Sequence, residues 1–111
     1  MLLESHYARP PSTGNQWTWI SGSNLVNQSG SCGQQGTPAS SNVPPARYGA
    51  ATWTDASDIL WVFGGITAHT ASADTYNNDL WKFSNGQWTW MSGSNATNQS
   101  GVYGALGASA S

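Results

Sequence analysis

The chain repeats itself. At an offset of 71 residues, the distance from Trp17 to Trp88, QWTWISGSNLVNQSG (16–30) lies over QWTWMSGSNATNQSG (87–101), with twelve of fifteen positions identical. The three differences are Ile20 for Met91, Leu25 for Ala96 and Val26 for Thr97, and the register runs on through Gly33 with Gly104 and Gly36 with Gly107. A repeat of some tens of residues is the mark of a solenoid or propeller, whose units cannot each bury their own apolar faces. The 111 residues hold only about one and a half such periods.

Between the copies the strand signals are regular. Tyr48 to Thr54 alternates Tyr48, Ala50 and Thr52 with Gly49, Ala51 and Trp53, small residues that suit an innermost strand with close neighbours. Asp55 to Asp58 reads as a turn, and Ile59 to Phe63 is continuously apolar, the pattern of a strand buried on both faces. Leu80 to Ser84 then leads into Asn85-Gly86, which supplies the positive dihedrals of a two-residue type I′ turn. Gln87 to Met91 returns with Trp88 and Trp90 on one face. These four runs predict an all-β, four-stranded antiparallel meander. No segment shows the three- and four-residue apolar recurrence of a helix. The connections at 21–46 and 66–78 are long, and loops of that length in a small unit carry function or lack order.

Composition narrows the partners. Charged residues are 7% of the chain, against about 25% usually, and Ser, Thr, Asn and Gly make up 48 of the 111 residues. With 3 Lys+Arg, 5 Asp+Glu and a net charge of -2, there is no basic stripe to neutralise phosphate, which argues against nucleic acid and anionic lipid surfaces. No apolar run approaches the roughly 18 residues of a membrane span. The first 14 residues hold two Leu before an acidic residue, without the apolar core of a signal peptide. The neutral, Thr- and Asn-rich composition leans towards an extracellular protein. Few aliphatic residues would suggest disorder, but seven Trp argue against it. The single Cys32 closes no intrachain disulfide and no Cys or His pair has zinc spacing.

The order ARYGAATWT, ILWVFGG and NDLWKFSNGQWTW resembles the kelch repeat. Arg47 leads into an inner strand, Gly64-Gly65 closes the second, Trp81 or Phe83 marks the third and Trp88 the fourth. The resemblance is to the longer bacterial and galactose-oxidase-like variety, and implies an incomplete β-propeller blade. Residues 47–92 form one complete blade, 15–46 the last strand of a preceding repeat with its loop, 93–111 a loop towards a next blade, and 1–14 an unmatched leader that lacks the expected third strand. In this frame Gly64 and Gly65 allow a tight exit, and Trp17, Trp19, Trp81, Phe83, Trp88 and Trp90 are packing residues. A closed ring of four to eight 71-residue units would need roughly 300 to 570 residues. The chain is therefore expected to be a fragment or an assembling subunit, with an unpaired Gln16–Ile20 strand and exposed faces that favour self-association or a molten state.

Site chemistry is sparse. Asp55, Asp58 and Asp79 read as turn formers, and the calcium-loop spacing is absent. Ser and Thr are too abundant to single out a nucleophile, and there is no nucleophile elbow or phosphate loop. Copper oxidases of similar fold hold their metal with Tyr and His and cross-link a Tyr to Cys. Here Cys32 is a loop thiol with Tyr103 at the equivalent place, so neither a metal nor another cofactor is expected. Arg47 either bonds loop carbonyls or pairs with an Asp of a neighbouring blade, or meets an acidic or carbohydrate ligand at a channel mouth. Propeller loops form binding faces, so Arg47, Tyr48, His69 and Tyr76 are the candidate binding residues. Trp17, Trp19, Trp88 and Trp90 could also stack on sugars, and three Asn-x-Ser/Thr sequons begin at Asn27, Asn95 and Asn98. The function expected is a non-catalytic binding or scaffold module recognising protein or glycan. The alternatives are a piece of a propeller enzyme, resembling galactose oxidase or a sugar mutarotase, and a repeat unit of an extracellular adhesive protein.

Overall fold

A computed structural model describes residues 2–4, 16–69, 74–102 and 104–109. Among these residues the chain is all-β. Its strands are β1 (Leu2–Glu4), β2 (Trp17–Trp19), β3 (Ala51–Thr54), β4 (Leu60–Phe63), β5 (Ile66–His69), β6 (Asp74–Tyr76), β7 (Leu80–Ser84) and β8 (Gln87–Ser92). The main sheet is an antiparallel meander in the order β3-β4-β7-β8, the expected incomplete blade. No helix is long and apolar enough to cross a membrane among the described residues.

The turns form for the reasons the residues supply. Asp55 Oδ1 accepts from the Ser57 and Ile59 amides at 2.8 and 3.1 Å, fixing the β3–β4 turn with Asp58 at φ 61°. Asn85 and Gly86, at φ 52° and 74°, make the tight β7–β8 turn, both in the left-handed region that a type I′ hairpin demands. The β7–β8 register slips once, since Leu80 opposes Ser92 while Trp81 opposes Trp90. Met91 is the extra residue, a bulge at the strand end.

Strand alternation gathers Ala50, Leu60, Val62, Trp81, Phe83, Trp88 and Trp90 on one face. The core lies there, with Val62, Trp81 and Trp88 buried and Cys32 packed against them. Trp81 and Trp88 meet edge to face at 6.3 Å, and Phe83 tilts against Trp88 at 5.0 Å. The opposite face carries Trp53 stacked on Trp61 at 6.2 Å, with the Trp61 indole N–H donating to Asp55 Oδ2. Trp53 and Phe63 are 45% and 47% exposed. The expectation that β4 is buried on both faces therefore fails: only one face has a cover.

That cover is the 21–46 connection. Ser31 and Val43 exchange backbone hydrogen bonds at 2.8 Å, drawing the segment into a closed loop, and its far side runs along β8. The Gly36 amide donates to the Trp90 carbonyl at 2.7 Å, Ala39 bridges Trp88, and Asn42 Nδ2 reaches the Trp88 carbonyl at 3.0 Å. The outer edge of the sheet is thus paired off rather than open.

Two further expectations are corrected. The 66–78 connection holds an antiparallel hairpin, β5 with β6, tied to the sheet by mutual Tyr48–Ile66 backbone bonds at 3.0 and 2.8 Å. The first-copy strand is also paired: β1 aligns Leu2 with Trp19 and Glu4 with Trp17. Trp81 and Phe83 hold the same places opposite Trp90 and Trp88, so β1 stands where β7 stands in the second copy. Residues 2–4 supply the third strand that the sequence alignment did not show.

Candidate functional site

In a chain so poor in charge, the two ionised groups flanking the blade find each other. Arg47 and Asp79 form a two-pronged ion pair, Nη1 to Oδ1 at 2.6 Å and Nη2 to Oδ2 at 2.8 Å, with side chains only 7% and 3% exposed. Arg47 also donates to the Gly64 carbonyl at 2.9 Å and to Pro45 at 3.2 Å. The Trp81 indole N–H gives Asp79 Oδ2 a third donor at 2.7 Å. Burial pushes the Asp79 carboxyl up, but the hydrogen bonds from Arg47 and Trp81 and the guanidinium charge outweigh it and hold it below the usual carboxylate range. The paired glycines complete the clamp. The Gly64 amide donates to the Asp79 carbonyl at 3.0 Å, and a side chain on Gly65, at φ 100°, would meet the Tyr48 carbonyl at 2.9 Å.

Arg47 bonds loop carbonyls as one reading expected, but its carboxylate partner comes from the same blade rather than a neighbouring one. Asp79, expected as a turn former, is the buried counter-ion of Arg47. Asn42 had no signal in the sequence at all. Its amide nitrogen ties Thr37 and Trp88 carbonyls together, and its Oδ1 sits where a side chain on Gly33 would be. The signal for Asp79 was arithmetic: with 3 basic and 5 acidic residues, a buried arginine has few possible partners.

Beside the clamp lies a groove of about 460 Å³. Its floor is Ala50, Thr52, Val62 and Trp88 on the sheet, and its wall is the first-copy loop, with Leu25, Gln28 and Val43 to Tyr48. The lining is mainly apolar, and its one charged residue, Arg47, is neutralised by Asp79. Tyr48 stands at the rim, 54% exposed. It leads across the backbone to Ile66 and from there to Tyr76, which brings two of the candidate residues into one row. Tyr76 is exposed, and its hydroxyl donates to Asp74 Oδ2 at 3.1 Å, a bond that raises the phenol above its ordinary pKa. His69 lies at the far end of β5, opposite Asp74, and its backbone does not bring it to the groove row. Trp17 and Trp19 are exposed at 59% and 57%.

Cys32 is a free thiol, half-buried against the core. Burial pushes its pKa up, the Asp79 charge adds to that, and Arg47 opposes it, so the neutral thiol is favoured over the nucleophilic thiolate. Among the described residues no three His, Cys, Asp or Glu gather as a metal-binding group. The sequence's Tyr103 counterpart of Cys32 lies outside the described residues. No family model, curated protein or solved structure matches the chain.

Proposed function

We propose that the chain is a non-catalytic binding and scaffold module of kelch type, taking an uncharged, partly apolar segment of a protein partner in the groove beside Arg47. The groove itself carries this reading: about 460 Å³ of mainly apolar lining with its one cation already paired. Sites of this size and lining are the usual form of a binding cleft. A charged ligand would find no free partner in that lining, and burying its charge would cost several kcal/mol. The blade provides the rigid floor, and the loop that shapes the wall is the kind of segment in which recognition residues concentrate.

The test is a panel of uncharged apolar peptides and neutral oligosaccharides titrated against the chain, read by tryptophan fluorescence. Peptides are expected to bind, and Leu25→Arg, which places a charge on a wall residue already 67% exposed, should weaken them about tenfold, the equivalent of roughly 1.4 kcal/mol. Tyr48→Ala should act in the same direction. Binding of oligosaccharides alone, or peptide binding indifferent to both substitutions, would sink the proposal.

A further inference from the structure

The two copies of the repeat share more than sequence. Gly22 and Gly93 both lie at positive φ, 91° and 79°, as do Asn27 and Asn98, at 58° and 55°. Ser23 Oγ accepts from Leu25 as Ser94 Oγ accepts from Ala96, both at 3.0 Å. Gln28 Nε2 donates to Val26 as Gln99 Nε2 donates to Thr97. The equivalence continues beyond the identical stretch. The Thr37 amide closes a turn on Gln34, and 71 residues on the Ala108 amide closes the same turn on Ala105, both at 3.0 Å, with Gly36 and Gly107 at φ 80° and 77°.

The difference lies in what each turn touches. The first is docked on the edge of β8, Gly36 N–H to the Trp90 carbonyl. The second is formed in the same shape, and residues 104–109 around it are exposed, Leu106 fully so. The strand equivalent to β8 is β2, where Trp19 stands for Trp90. Its first edge is held by β1 in the register of β7, and among the described residues nothing pairs with its second edge.

We propose that the 105–108 turn of one copy of this chain docks on the open edge of β2 in a second copy, with the Gly107 N–H donating to the Trp19 carbonyl. The contact is the intrachain 34–37 to β8 contact made between molecules. Donor and acceptor are different surfaces, so the interface is heterologous and growth is head to tail, giving rings if the rotation closes and filaments if it does not. The unpaired edge of a Trp-bearing strand is the kind of template on which such growth proceeds.

The proposal does not depend on the groove, because neither Leu25→Arg nor Tyr48→Ala alters the turn or the edge. Sedimentation velocity of the whole chain, from dilute to concentrated, tests it with two variants. Gly107→Pro removes the donor N–H and, because proline cannot hold φ 77°, also reshapes that exposed turn, and Trp17→Lys with Trp19→Lys places charge on the exposed acceptor strand. The wild type is expected to form a ladder of species that grows with concentration. Each variant alone should stay monomeric with an unchanged melt, and an equal mixture should stop at a dimer, since Gly107→Pro keeps its edge and the Lys variant keeps its turn. A wild type that stays monomeric throughout, a Gly107→Pro chain that assembles like the wild type, or a mixture that forms no dimer would each overturn it.

Discussion

The same four residues, QWTW, meet opposite fates in the two copies. In β8 Trp88 is 2% exposed, whereas its counterpart Trp17 in β2 is 59% exposed. The local geometry after each strand is nevertheless the same, down to the left-handed Asn and the Ser and Gln side chains that close back on the backbone. Local sequence decides the turns. Burial is decided by the neighbours, since β8 has Trp81, Phe83 and Cys32 across its face and β2 has a three-residue partner strand.

The widest separation between the copies is expected in stability. Trp88→Ala removes a core ring and should cost about 3–5 kcal/mol, while Trp17→Ala removes an exposed ring and should stay within about 0.5 kcal/mol. Urea denaturation of the two variants at low concentration checks this, and equal losses would break the comparison. Next is the Arg47–Asp79 clamp. Asp79→Asn leaves Arg47 buried without its counter-charge and should cost about 3 kcal/mol. Because the native Asp79 carboxyl sits below its unfolded value, its contribution is fully present above the unfolded pKa and is lost as the pH falls through the lower native one. Thermal melts should show the wild-type advantage over Asp79→Asn shrinking across that acid window, and an advantage that persists below it would contradict the assignment.

The smallest effect distinguishes the two loops. Asn98 Oδ1 accepts from the Tyr76 amide at 2.8 Å, and its own amide donates to the Tyr76 carbonyl at 2.8 Å. For Asn27 the left-handed φ is the shared feature. Asn98→Gly keeps the backbone freedom and loses the side-chain bond, costing about 1 kcal/mol, while Asn27→Gly should be nearly neutral. Matched denaturation curves would show whether the second loop is the better anchored.

Much of the blade was legible because its signals are local. Asn85-Gly86 specifies a hairpin by its dihedrals, Asp55 specifies a turn by its carboxylate, and Trp81 with Phe83 shows two-residue alternation. The missed elements depend on distant partners. Leu2–Glu4 has too few residues to show any period, and only Trp17–Trp19 makes it a strand. The β5–β6 hairpin is interrupted by a bulge between Ile66 and Ala68, which hides its alternation, and its anchor is Tyr48, some twenty residues earlier. Phe63 looked buried because an apolar run says nothing about whether a covering layer exists. At the site, Arg47 and Tyr48 were visible from their place before the inner strand. Asp79 carried only the arithmetic of scarce acidic residues and Asn42 carried no signal, because their roles come from tertiary contacts with Arg47 and Trp88.

The central claim is that identical strands differ in burial because of what surrounds them. Hydroxyl-radical footprinting of the dilute chain, read tryptophan by tryptophan with mass spectrometry, measures that directly. Trp17 and Trp19 should be oxidised rapidly, Trp90 more slowly, and Trp88 slowest of the four. Equal oxidation of Trp17 and Trp88 would contradict the account.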